Sequence, residues 1–128
     1  MNKKLSFIAA FMGMLLGANL ALAAQDIDVQ EAQAMSKQGA LLLDVRELGE
    51  YDEVHAPNVT LIPLGQLQSR LNEIARYKNQ PIAVMCRSGR RSAKAAEILE
   101  EAGFSRVSNV SGGIMAWENA GLAVVRKQ

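Results

Sequence analysis

Ile82-Ala83-Val84-Met85-Cys86-Arg87-Ser88-Gly89-Arg90-Arg91-Ser92 is the stretch that decides how this chain folds. Ile82 to Met85, introduced by Pro81, is a short and continuously apolar run, the pattern of a strand buried on both faces. Ser92 to Ala102 carries a helical pattern, and Gly103 stands at its C-terminal stop. A buried strand, a tight loop with a central glycine and then a helix make one unit of an α/β sheet. In such folds the chemistry lies at the carboxyl ends of the strands. The only cysteine of the chain sits at that point.

The same reading extends in both directions. Upstream, Asp28 with Glu31 forms a capping box for a helix carrying Ala32 and Met35. Gly39 closes that helix, and Ala40 to Val45 is a second buried strand. Glu47 to Val54 is a short polar helix or turn, and Val59 to Ile62 a strand stopped by Pro63. Leu64, Leu67, Leu71 and Ile74 recur at spacings of three and four, as in an amphipathic helix. Downstream, Val107 to Val110 is a short strand. Ile114 to Ala120 is a final helix ended by Gly121, with Met115 and Trp117 expected in the core. Strands separated by helices imply a mainly parallel sheet covered on both faces, hence one α/β domain.

Composition narrows the function. The 128 residues carry 14 Lys+Arg against 13 Asp+Glu, a formal charge of +1, so no broad basic field invites nucleic acid. One Cys and one His exclude an intramolecular disulfide framework and a thiolate-rich zinc site. Half the residues are apolar, which argues against disorder.

The first 23 residues read as a cleavable signal peptide. Lys3 and Lys4 form a basic start, Phe7 to Ala18 is an uncharged run, and Ala21-Leu22-Ala23 is a small-x-small site. We expect cleavage after Ala23, export to the periplasm, a mature domain of residues 24–128 and no stable membrane anchor after cleavage.

The loop after the Ile82 to Met85 strand carries the chemistry. Its successive amides can point inward as an anion-binding nest, reinforced by the following helix N-terminus. Cys86 lies at the bottom, with Arg87, Arg90 and Arg91 around it. Positive potential favours thiolate over thiol, which makes Cys86 a nucleophile. A buried cluster of unpaired guanidiniums, on this reading, calls for an anionic partner.

Cys-Arg-Ser-Gly-Arg-Arg-Ser, residues 86–92, resembles the active-site loop of the rhodaneses, sulfurtransferases that work through a cysteine persulfide. Three further stretches agree in order. Leu43-Asp44-Val45-Arg46-Glu47 is similar to the family's early strand and its sequel. Glu50-Tyr51 with His55, Pro57 and Ile62-Pro63-Leu64 is similar to a worn form of the block Gly-His-Ile-Pro-Gly-Ala-x-x-Ile-Pro-Leu. Gly112-Gly113-Ile114-Met115-Ala116-Trp117 resembles the closing Gly-Gly-x-x-x-Trp motif. The resemblance implies the rhodanese-like fold, a five-stranded, mainly parallel sheet flanked by helices on both faces. In the worn block Val54 replaces a glycine, which implies strained backbone before His55. Asn58 replaces another, and Asn tolerates the left-handed geometry.

The resemblance implies a mechanism. Cys86 thiolate attacks the sulfane sulfur of an anionic donor such as thiosulfate, and the resulting persulfide passes sulfur to a thiol or cyanide, or to a protein acceptor. Arg87, Ser88, Gly89, Arg90, Arg91 and Ser92 bind the donor. No metal or organic cofactor is called for. Asp44 either organises the surroundings of the loop or caps it structurally. Arg46 shares that role or forms a surface salt bridge with Glu47 or Glu50. Arg91 is expected to be pinned by a carboxylate such as Asp44, while Arg87 and Arg90 reach the mouth. His55 is expected to hold backbone carbonyls. Two alternatives remain: a persulfide carrier with little turnover, and a cysteine-dependent phosphatase of the same fold. Against the phosphatase, its loop needs Arg six residues after the cysteine, where this chain has Ser92.

Overall fold

A computed structural model describes residues 24–128 of the chain. The proposed signal segment, residues 1–23, lies outside the described residues.

Five parallel strands form the central sheet: β1 (Gln25–Ile27), β2 (Leu41–Asp44), β4 (Val59–Leu61), β5 (Ile82–Met85) and β6 (Val107–Val110), in the order β1-β6-β5-β2-β4. A separate antiparallel pair joins β3 (Val54–His55) to β7 (Val125–Arg126). The helices are α1 (Val29–Lys37), α2 (Leu48–Glu53), α3 (Leu64–Leu67), α4 (Arg90–Glu101) and α5 (Gly113–Asn119), with a 3-10 segment over Gln68–Tyr77. Among the described residues no helix is long and apolar enough to cross a membrane.

Because side chains alternate along a strand, each continuously apolar strand feeds two cores. Leu41, Leu43, Ile82 and Val84 pack on one face with Leu67, Ile74, Ala95 and Leu99 of the 64–77 segment and α4. Leu42, Ala83 and Met85 pack on the other with Val29 and Ala32 of α1 and with Ile114 and Trp117 of α5. Cys86 continues the alternation of Ile82 and Val84 and belongs to the first core.

The chain runs outward from β2 to β4, then crosses back to place β5 on the other side of β2. Strand order therefore reverses between β2 and β5, and the crevice at their carboxyl ends is where such sheets bind ligands. Asp44 ends β2, and Cys86 follows β5.

Several expectations need correction. The 64–77 stretch is not one amphipathic α-helix: it is one turn of α3 followed by 3-10 geometry, interrupted at Ile74, whose φ is −119°. Its apolar residues still pack on the core: Leu67 and Ile74 lie in it, and Leu64 and Leu71 against it. Asp28 caps α1, accepting from the Glu31 amide at 2.8 Å. Met115 is not core; it is 43% exposed, whereas Trp117 is buried and donates to the Ala123 carbonyl at 2.9 Å. Val54 is unstrained: its φ of −161° is extended backbone, paired with Arg126 in the β3–β7 ribbon. Asn58 does adopt the left-handed conformation, with φ 56°.

Candidate active site

The loop leaves β5 and turns at Gly89, whose φ of 109° lies in the region that disfavours side chains. That turn swings the Gly89 amide back to Cys86, where it donates to Sγ at 3.1 Å. Arg90 then starts α4, two residues before the sequence pattern had placed it. Ser92, in the first turn, is fully buried with Oγ 3.5 Å from Sγ.

A second helix closes the loop from outside. The Ile114 amide donates to the Cys86 carbonyl at 2.8 Å, and the Met115 amide to the Arg87 carbonyl at 3.2 Å. This contact explains Gly112-Gly113. A Cβ on Gly113 would stand 2.2 Å from the Cys86 carbonyl oxygen and 2.6 Å from that of Arg87. Only glycine lets the α5 N-terminus come so close, and the pair serves as a tight turn beside the site.

Two opposing effects set the thiol. Burial pushes Cys86 up, because it penalises the charged form. The amides of Ser92, Gly89 and Ser88 push it down, as does a Ser92 hydroxyl whose hydrogen is turned to the sulfur, and the lowering prevails over burial. The lowering thus comes mainly from hydrogen bonds that the loop itself makes.

The arginines are dispersed. Arg46 is buried, not a surface residue, and its partner is Asp44. Its Nε lies 3.0 and 3.1 Å from the two Asp44 oxygens, and Nη2 lies 2.7 Å from Oδ2. It also donates to the carbonyls of Glu50 at 3.3 Å and Val54 at 2.7 Å. Asp44 is thus taken by Arg46 and does not pin Arg91. The carboxylate on Arg91 is Glu50, which accepts from both terminal nitrogens at 2.7 and 2.9 Å. The Arg91 guanidinium holds the Glu50 carboxyl at about 2 and is itself pushed up in return. Arg87 and Arg90 are exposed, with no ion pair among the described residues. Among the described residues there is no buried cluster of unpaired guanidiniums, so that sequence argument does not hold. The positive charge left for an anion comes from Arg87 and Arg90, with the loop amides.

His55 does hold a backbone carbonyl: its Nδ1 is 2.8 Å from the Tyr51 oxygen, and its ring stacks on Tyr51 at 3.8 Å. Sequence reasoning passed over Asn109, a nearly buried side chain of β6 hydrogen-bonded to Ser92 and to the Gly89 carbonyl. Its signal was visible: a polar residue beside Val110 in a short, largely buried strand.

A cysteine in an amide-lined loop at the switch point of a parallel sheet is the arrangement that cysteine-dependent group-transfer proteins use. More narrowly, the chain belongs to the rhodanese-like family: the family model for the rhodanese-like domain matches residues 28–120. It is 38% identical over 99 residues to the thiosulfate sulfurtransferase GlpE of Vibrio cholerae, covering 77% of this chain and 92% of that one. It is 43% identical over 82 residues to YrkF of Bacillus subtilis, provisionally named a sulfur carrier protein; the match covers 64% of this chain but only 43% of YrkF. Among solved structures, a rhodanese-related protein of Thermoplasma volcanium superposes with a TM-score of 0.71 at 30% identity, covering 79% of this chain and 97% of that one. The homologues are sulfurtransferases and sulfur carriers in name, and the five-stranded sheet is that of the rhodanese-like fold.

Proposed function

We propose that this protein is a sulfurtransferase of the thiosulfate type, moving sulfane sulfur through a Cys86 persulfide. The observation that carries the reading is Cys86 Sγ at the foot of the loop, with the Gly89 amide 3.1 Å away. Cys86 thiolate attacks the outer sulfur of thiosulfate; the new S–S bond forms as the old one breaks, and sulfite leaves with its electron pair. Arg87 and Arg90 balance the charge of donor and leaving group, and the loop amides hold the sulfur. An acceptor, cyanide or a thiol, then attacks the outer sulfur and the thiolate is restored.

Phosphatase chemistry fits less well. Arg91 comes one position early for that loop, and its guanidinium is occupied by both oxygens of Glu50. A carrier that loads sulfur and hands it to another protein is the second reading, favoured by the name of the YrkF relative. Thiocyanate formation from thiosulfate and cyanide separates the three. We expect turnover with the wild type, none with Cys86→Ser, and a mass gain of one sulfur atom, about 32 Da, only on the wild type. Sulfur loading with negligible turnover identifies a carrier. Phosphate release without thiocyanate formation refutes both sulfur readings.

Export is part of the proposal. It rests on Lys3-Lys4, the uncharged run Phe7 to Ala18 and Ala21-Leu22-Ala23. Cell fractionation with N-terminal sequencing is expected to find a periplasmic chain beginning at Ala24; a full-length cytosolic chain overturns it.

A further inference from the structure

Behind Cys86 lies a line of polar groups that the transfer scheme does not use. Ser92 Oγ is 3.5 Å from Cys86 Sγ but 2.5 Å from Asn109 Oδ1. Asn109 Nδ2 lies 3.1 Å from Asp26 Oδ1 and 3.3 Å from the Gly89 carbonyl. Both of those are acceptors, a carboxylate and a carbonyl, so the amide must present its NH2 to them. Its oxygen then faces Ser92. A hydroxyl has one hydrogen, and the nearer acceptor is Asn109, not the sulfur.

We propose that Asn109 is a positioning residue that claims the Ser92 hydrogen, so that Ser92 turns a lone pair toward Cys86 and accepts from the S–H of the thiol. Asp26, on the edge strand β1, anchors the far end, and its charge polarises the line away from the sulfur. The loop amides favour thiolate, while the Ser92–Asn109 pair favours thiol. Cys86 therefore rests as a balance between them, readily ionised yet not permanently so.

The other charges around Cys86 leave this assignment in place. From β2, Asp44 and Arg46 neutralise one another, and from α2 Glu50 does the same for Arg91 of α4. Arg87 and Arg90 of the loop and its helix are exposed to solvent. The α5 N-terminus brings amides only, and Glu118 at its other end pairs with Arg126. Asp26 of β1 reaches the sulfur only through Asn109 and Ser92.

The inference deepens the sulfurtransferase reading, but its test does not depend on turnover. The rate of Cys86 alkylation by iodoacetamide is measured against pH on the full chain, for wild type, Ser92→Ala, Asn109→Leu and the double variant. Removing Asn109 frees the hydroxyl to donate to thiolate, so its midpoint is expected to fall by about one pH unit, the scale of one such hydrogen bond. Ser92→Ala removes an acceptor of the thiol hydrogen, so its midpoint falls or stays. In the Ser92→Ala background, Asn109→Leu is expected to move nothing. A rise of about one unit in Ser92→Ala means that the hydroxyl donates to sulfur and overturns the proposal. So does an Asn109→Leu midpoint equal to wild type with only the melting temperature lowered. Should Asn109→Leu fail to fold, Ser92→Ala decides alone by the sign of its shift.

Discussion

Two ion pairs flank the cysteine loop and share the same chemistry in opposite settings. Asp44–Arg46 is sealed, with side chains 0% and 3% exposed, and Arg46 makes further bonds to two backbone carbonyls. Glu50–Arg91 is about one-third exposed on both sides and is bidentate. The first ties the end of β2 to the α2 segment; the second ties that segment to the start of α4. Together they connect the two strand ends that bound the crevice. The pairs differ in what water can do when one is broken. A buried charge without its partner has no solvent to turn to, whereas a half-exposed one does. Arginines close together around the cysteine loop thus serve as frame (Arg46), tether (Arg91) and free cation (Arg87, Arg90).

The comparison can be broken at its strongest point first. Arg46→Ala leaves the Asp44 carboxylate buried and unpaired, and a loss of about 3–5 kcal/mol is expected by denaturant titration. A loss comparable to that of an exposed pair would erase the distinction. Next in size is Gly113→Ala. Both atoms its Cβ meets are backbone, and its φ of 53° adds roughly 1–2 kcal/mol for a residue bearing a side chain. The loop must shift, and a displacement of about 1 Å at a reacting group costs on the order of a hundredfold in rate. Thiocyanate assays should show that loss in a chain that still folds.

The tether comes third. Glu50→Gln should cost only about 0.2–1 kcal/mol, because solvent screens the pair. Its pH dependence has a definite sign. The folded Glu50 carboxyl is held at about 2, below its ordinary 4.5. The pair's contribution is therefore complete above 4.5 and is lost as pH falls through about 2. Unfolding of wild type and variant, compared at successive pH values, should show a difference that is constant above pH 5 and shrinks toward pH 2. Smallest on stability are Arg87→Ala and Arg90→Ala, within about 0.5 kcal/mol of wild type. Their effect should fall on the thiosulfate KM, which rises at low salt and rises less once the Debye length shrinks to about 10 Å or below. A melting point lowered by several degrees in either would make it part of the frame.

The sequence was most legible where burial dictates pattern. The strands at 41–44 and 82–85 are apolar almost throughout because both faces are covered. It was least legible at the edges. β1 has two exposed polar residues and a single buried one, Ile27, so it left no run to read. The β3–β7 ribbon is only two residues long on each side, too short for any period. The cysteine loop was legible as a nest because Gly89 and the strand-to-helix change are local. The pairing of its arginines was not. Arg46 is buried by carbonyls that belong to α2 and β3, and Arg91 meets a carboxylate 41 positions away. Charge type fixes what a side chain wants; only the assembled crevice fixes which partner arrives. Met115 shows the converse, since helical spacing beside Trp117 placed it in the core while α5 turns it outward.

Cys86 is 1% exposed, although it is the residue on which the proposed transfer depends. Attack on a disulfide needs the incoming sulfur in line with the bond it breaks, and a protein disulfide is carried between two bulky chains. A nucleophile set that far below its rim is out of reach for such a partner and open to a slim reagent with a terminal sulfur. One added sulfur atom lengthens the side chain by about 2 Å, so the loaded form stands nearer the surface than the empty one. On the proposed mechanism, the depth of the sulfur acts as a size sieve on loading and as a lift on delivery.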